Sequence, residues 1–223
     1  MKFSKIERSA NFLMKPLSSR LVDRLTTLSL SKYYLHVGEK KNQTHQEFRP
    51  FLHGFYNNIS LISSNLLLYY LRRSIRFFFV LLMRNYRVCF ISQEISDYLK
   101  DASILRNYYL VLDYWIPGSV TNYRILSKQQ VRKEERFLRR MPQALVTFKL
   151  DPSKVYDISQ EARKVGLPMI ALVDTSLSPI YFSYFLPLNT KSLRAFHFSI
   201  FLFMSVLRRS ILTKKKKFIY NWV

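Results

Sequence analysis

The chain has 223 residues, 48% of them hydrophobic, with 36 Lys and Arg against 14 Asp and Glu, a formal net charge of +22. That hydrophobic share excludes a disordered chain, and the length suffices for one substantial core. So large a cationic surplus repels itself in a compact state unless an anion is near, which leaves nucleic acid and acidic lipid as partner classes.

Residues 1–32 are rich in Ser, Lys, Arg and Leu, and Glu7 and Asp23 are the only acids before residue 32. A mitochondrial transit peptide has this composition. We read the stretch instead as a retained basic arm, in which Leu21, Val22, Leu25 and Leu28 share a helical face. A long amphipathic helix is expected over about 60–84. Its apolar run from Leu66 to Met83 is interrupted by Arg72, Arg73 and Arg76. One charge at the centre of a spanning helix costs about 2.5–3.5 kcal/mol on insertion scales, so three exclude a membrane span there.

A strand near Arg87–Ile91 follows, then a helix near 93–105 and a strand at Tyr108–Leu112. Cys89, in the apolar run Val88-Cys89-Phe90-Ile91, is the one cysteine. It excludes an internal disulfide and reads as a buried, inert thiol. His36, His45 and His53 lack the spacing of metal ligands, and neither a metal nor any other cofactor is expected.

Trp115-Ile116-Pro117-Gly118-Ser119-Val120-Thr121-Asn122 then turns from strand to helix, where Thr121 or Asn122 can cap the next element. A very basic helix is expected over about 121–140, stopped by Met141-Pro142 ahead of a strand at Ala144–Lys149. Asp151-Pro152-Ser153 can cap a helix over 154–165, which Gly166 ends. Pro168 opens the strand Met169–Val173, closed by Asp174-Thr175. There an acid at a sheet edge reads first as an Asx-type turn, and only second as a catalytic group. An extended piece near Tyr181–Leu186 precedes a last helix, about 190–208. Its apolar part, Ala195–Leu207, has 13 residues where a span needs about 20.

Strands alternating with helices, several apolar throughout, indicate a doubly wound (flavodoxin- or Rossmann-like) parallel sheet of about five strands with helices on both faces. Three regions are expected: a basic arm (1–32), an α/β domain (33–208) and a basic tail (209–223). The tail contains Lys214-Lys215-Lys216-Lys217 and is expected to stay disordered until it meets phosphate.

The Trp115–Asn122 stretch is similar to the Trp-Leu-x-Gly-x-Leu-Thr-Asn pattern of the universal family of small-subunit ribosomal protein two. Gly166-Leu167-Pro168, the apolar strand and Val173-Asp174-Thr175 resemble that family's most recognisable stretch, with Ser176 where it has Asn. His36-Val37-Gly38 resembles its His-x-Gly, although Glu39 stands where a second His is usual. Pro50-Phe51 with Gly54 resembles its next turn, and Met141-Pro142-Gln143-Ala144-Leu145 its Leu-Pro-Asp-Ala-Leu. Pro187-Leu188-Asn189-Thr190-Lys191 resembles Pro-Gly-Asn-Asp-Asp with the glycine and both acids lost. All four glycines of the chain fall on family positions, and the match runs in unbroken order over about 33–208. One departure is large. The family inserts a long helical hairpin before the Pro-x-Ala-Leu strand, but here only the 18 residues Tyr123–Arg140 are available.

The resemblance implies a structural protein near the junction of head and body of a small ribosomal subunit, contacting rRNA and neighbouring ribosomal proteins. It implies no catalysis and no small-molecule substrate. The residues themselves place the cations: Arg124, Lys128, Arg132, Arg136 and Arg140 recur every four residues, with Lys133 and Arg139 beside them, a slowly winding basic stripe. With Arg72, Arg73, Arg76 and Lys214–Lys217, these are the expected rRNA-binding residues. Aromatics interleave with them (Tyr123, Phe218, Tyr220 and Trp222), which suits stacking on unpaired bases. Abundant Phe (18) and Tyr (15) with scarce Gly (4) is the skew of AT-rich coding. That points to an organelle, a mitochondrion before a plastid. The rival readings are a peripheral membrane protein held on anionic lipid and an α/β enzyme using Asp174.

Overall fold

A computed structural model describes residues 25–92, 109–112, 115–122 and 141–220. Five parallel strands form the central sheet: β4 (Val88–Ile91), β5 (Tyr109–Leu112), β6 (Ala144–Thr147), β7 (Met169–Val173) and β8 (Tyr184–Pro187). Their order is β5-β4-β6-β7-β8. The direction of winding therefore reverses between β4 and β6, which defines a doubly wound α/β sheet. Every residue of β4, β6 and β7 is buried, so cover is needed on both faces, as the unbroken apolar runs predict.

Ahead of this sheet stands a second one that the sequence reading does not anticipate. The strands β1 (Val37–Lys40), β2 (Leu52–Tyr56) and β3 (Ile59–Ile62) pair antiparallel in the order β1-β3-β2. Asn57 and Asn58 both take positive φ, 47° and 62°, the requirement of a two-residue type I′ hairpin turn. The helix expected from residue 60 consequently starts later. Ile59–Ile62 is strand, because the hairpin turn feeds straight into a β-branched, alternating segment, and the helix α2 spans Ser64–Met83.

The short helix α1 (Thr27–Lys32) precedes β1. It is closed by a reciprocal capping box between Thr26 and Ser29, and it buries Leu30. On α2 the buried residues Leu67, Leu71, Ile75, Phe78 and Leu82 recur at helical spacing and face β8 and the last helix, α4 (Leu193–Tyr220). Phe78 packs on Phe90 of β4 and Phe203 of α4, and Phe148, just beyond β6, packs on both of those. Four rings thus tie two helices to the middle of the sheet, each pair adding about 0.5–1.5 kcal/mol beyond its buried area. Cys89 is buried in β4, and burial pushes its thiol far above the usual range.

The helix α3 (Pro152–Val165) corrects the expected cap. Asp151 occupies the cap position without bonding the helix N–H groups. Its carboxylate instead pairs with Lys154 at 3.0 Å, and Pro152 starts the helix two residues earlier than expected. The other end is as expected: Gly166 takes the left-handed conformation (φ 73°), and Leu167 N–H donates to Ala162 C=O at 2.8 Å.

The last helix also differs from expectation. It does not end near residue 208 but continues through the lysine run to Tyr220, because no Gly or Pro interrupts Ser205–Tyr220 and lysine is a good helix former. Lys214 is docked rather than loose, its ammonium donating to Asn85 Oδ1 at 2.6 Å. Leu193–Lys214 is long and apolar enough to cross a membrane by length and composition, but 61% of that stretch is buried inside the protein.

Gly166→Ala should lower stability by about 1 kcal/mol, because a Cβ is disfavoured at positive φ. A denaturant midpoint that falls at unchanged slope checks this. Gly54→Ala is the control, since a Cβ there meets nothing within 4 Å.

Candidate nucleic-acid interface

The two sheets meet at Thr175, which is fully buried. Its hydroxyl accepts from Glu39 N–H at 2.8 Å and lies 3.2 Å from the Ser60 hydroxyl, which itself donates to Glu39 C=O at 2.8 Å. Its carbonyl accepts from His45 N–H at 2.8 Å. One threonine after β7 therefore holds β1, β3 and the loop between β1 and β2. Gly38 is required here by close approach: a Cβ would stand 2.4 Å from Ser60 Oγ and 2.5 Å from Thr175 Cγ2.

Asp174 is buried beside it. Its Oδ1 accepts from Thr175 N–H at 2.6 Å, and its Oδ2 accepts from the Thr190 hydroxyl at 3.3 Å. The turn that follows is closed by the main chain, Leu177 N–H donating to Asp174 C=O, and not by the side chain as an Asx turn would be. Burial raises the Asp174 pKa to about 6, the charge of Glu39 adds to this, and the bonds from Thr175 and Thr190 oppose it. Both carboxylate oxygens are thus engaged by internal donors, which suits a structural acid better than a catalytic one.

Glu39 and Lys191 sit where the chain departs from the family pattern, and the departures meet in space. The Lys191 ammonium lies 2.7 Å from Glu39 Oε1. The resemblance implies a base at the first position and an acid at the second, so the pair here has exchanged its charges. Bonding to Glu39 holds the Lys191 pKa above its ordinary value.

The Trp115 loop has its own anchor. Glu161 of α3 accepts from Gly118 N–H at 2.7 Å and from the Trp115 indole N–H at 3.3 Å. Gly118 has φ 86°, and Trp115 lies against the core. Thr121 and Asn122 end the described turn, exposed, and the helix they are expected to cap lies outside the described residues. Glu161 was not singled out from sequence. Its only signal is its place one turn before Gly166 on a half-buried face. Pro168 leads from Gly166 into β7 as expected, whereas Gly54 on β2 joins none of these junctions.

Of the expected cations, the structure assembles one group. Arg72, Arg73 and Arg76 line a groove between α2 and β8 with Tyr69, Phe77 and Tyr184. Phe77 and Tyr184 stack at 3.9 Å, and the Arg73 guanidinium lies 5.2 Å above the Tyr184 ring. Tyr69 is exposed, and among the described residues no acid lines the groove. Arg72 is partly committed, donating to Leu25 C=O at 3.1 Å. The stripe residues Arg124, Lys128, Arg132, Lys133, Arg136, Arg139 and Arg140 lie outside the described residues. Lys215, Lys216 and Lys217 lie in the last turns of α4.

These junctions define a class: a basic α/β scaffold whose marked residues lock one sheet to another and leave cations on an outer helix face. The chain belongs to the ribosomal protein S2 family, whose model matches residues 30–138 and 128–213. The two matched pieces share 128–138, so one stretch of this chain serves as the end of the first and the start of the second, consistent with a shortened insertion. The small ribosomal subunit protein uS2 of Ehrlichia canis is 23% identical, over 78% of this chain and 72% of its own. That of Thermus thermophilus is 24% identical over 77% and 80%, and that of Chlamydia caviae 24% over 86% and 81%.

Two predictions test the junction. Lys191→Asp should destabilise the fold by placing a third carboxylate beside Glu39 and Asp174. Adding Glu39→His should restore most of the loss, with a coupling on the order of 1 kcal/mol in a double-mutant cycle read by chemical denaturation. The second concerns Asp174, whose folded pKa is raised from 3.8 to about 6. Its contribution to stability is therefore full below about pH 4 and lost as pH rises through 6. Asp174→Asn, which keeps an acceptor for Thr175, should remove that component, so the difference in unfolding free energy between the two proteins varies between pH 4 and 6 and is flat above.

Proposed function

We propose that this protein is a structural, non-enzymatic constituent of a small ribosomal subunit, binding rRNA and neighbouring ribosomal proteins to support translation in an organelle. Family membership supports the ribosomal role, and the named relatives are small-subunit proteins. The observation that carries the RNA reading is the groove of Arg73 and Arg76 with Tyr69, Phe77 and Tyr184, whose described walls carry no acid. Guanidinium groups bind phosphate there, and flanking rings accept unstacked bases. The stripe at 124–140 and the lysines of α4 extend the same chemistry. The matching relatives named above are bacterial, so the mitochondrial setting, with a plastid as alternative, rests on the compositional skew. Tracking a fluorescent fusion of the full chain tests it.

Neutralising phosphates releases counterions, so affinity falls steeply with salt. The protein should co-sediment with small subunits at moderate salt and be stripped at high salt. Recovery in carbonate-resistant membranes instead would favour the lipid-bound rival. Arg73→Glu with Arg76→Glu should weaken rRNA association at least tenfold (roughly, for two lost phosphate contacts) while the circular-dichroism spectrum stays that of the folded protein. Arg132→Glu with Arg136→Glu should act in the same direction. Unaltered binding in both double variants would mean these faces are merely solvated.

A further inference from the structure

The tip of the β2–β3 hairpin carries rings that the core does not use. Phe55 is 43% exposed, Tyr56 69% and Ile59 39%. Tyr56 pairs across the strands with Ile59, and Phe55 with Ser60. Directly opposed residues share a face and successive residues alternate, so the two rings stand on opposite sides of the tip. The intervening turn, Asn57-Asn58, is held in a defined left-handed geometry. The tip thus presents one ring on each side, and neither ring belongs to the core.

Cations surround one of those rings. Lys40, Lys41 and Arg49 line a groove with Phe55, Asn42 and Asn58, and among the described residues no carboxylate contributes to its wall. The Lys41 ammonium lies 5.5 Å from the Phe55 ring centroid. The nearby acids are engaged elsewhere: Glu39 with Lys191, and Glu47 with the Ser178 hydroxyl. Three cations, two side-chain amides and an exposed ring make a surface complementary to phosphate next to an unstacked base. A duplex offers phosphates but keeps its bases stacked away from such rings. An apolar protein partner would be poorly matched to the cations.

We propose that the β2–β3 hairpin is a second RNA contact, which inserts among unpaired nucleotides with Phe55 and Tyr56 stacking on bases and Lys40, Lys41 and Arg49 neutralising phosphates. This inference rests on the rRNA-binding reading above and assigns it a site separate from the groove of α2. None of these residues was marked by the basic runs of the sequence.

The test uses the full chain, a short fluorescent oligouridylate and an RNA duplex of equal length, with affinities read by anisotropy. Phe55→Leu with Tyr56→Leu should lose about tenfold or more on the single strand, the scale of a lost base–aromatic stack, and keep its duplex affinity. Phe55→Tyr with Tyr56→Phe, which retains both rings, should bind as the unaltered protein does. Lys40→Gln with Lys41→Gln should lower the salt dependence on the single strand. Equal losses on single strand and duplex, no loss on either, or an equal loss in the ring-retaining variant would overturn the proposal. Wild-type protein that binds rRNA while the leucine variant is unaffected sinks the hairpin site alone. Wild-type protein that binds no RNA sinks the hairpin site and the broader reading together.

Discussion

A three-stranded antiparallel sheet of four- and five-residue strands has too little apolar face to stand by itself. In this protein it is fastened by core packing of Ile62 and Leu52 and by a junction built around one buried threonine. Thr175 presents its side chain to Glu39 N–H and Ser60 on one side and its carbonyl to His45 on the other. The contact is possible only because Gly38 leaves room for the threonine methyl. Buried polar groups of this kind are costly unless every partner is in place. The position of the N-terminal sheet, and of the hairpin it carries, therefore depends in part on a few atoms beyond the end of β7.

The same junction explains why the acid at the sheet edge is not free to react. In doubly wound folds, the carboxyl ends of the strands are where sites form. Here that region is occupied by structure. Asp174 is surrounded by its own threonines, and the Trp115 loop is tied to Glu161 through a backbone N–H and the indole N–H. Chemistry that another protein of this architecture would direct at a ligand is spent on holding loops and sheets together.

Charge follows from the same packing. Because β4, β6 and β7 are buried on both faces, no cation can be placed near the sheet without an expensive desolvation. The burial stripe of α2 forces Arg73 and Arg76 outward. A scaffold so apolar inside and so basic outside is under self-repulsion that a nearby polyanion would relieve.

The parallel strands, α3 and its glycine stop were legible in the amino-acid sequence. Continuous apolar runs, Pro142, Gly166 and Pro168 act through local backbone geometry and burial, which need no knowledge of distant residues. The resemblance likewise lay in short motifs, and it named Gly38, Trp115, Gly118, Asp174 and Thr175 without saying what they touch. The small sheet escaped notice even though Asn57-Asn58 signals a hairpin, because its strands are short and only partly buried. What Glu161 and Lys191 do was decided by tertiary structure, since their partners lie tens to more than a hundred residues away along the chain. A helix, a turn or a buried strand is chosen by neighbours in sequence. A charge pair, a close glycine contact or a ring left exposed at a hairpin tip is chosen by which surfaces the folded chain brings face to face.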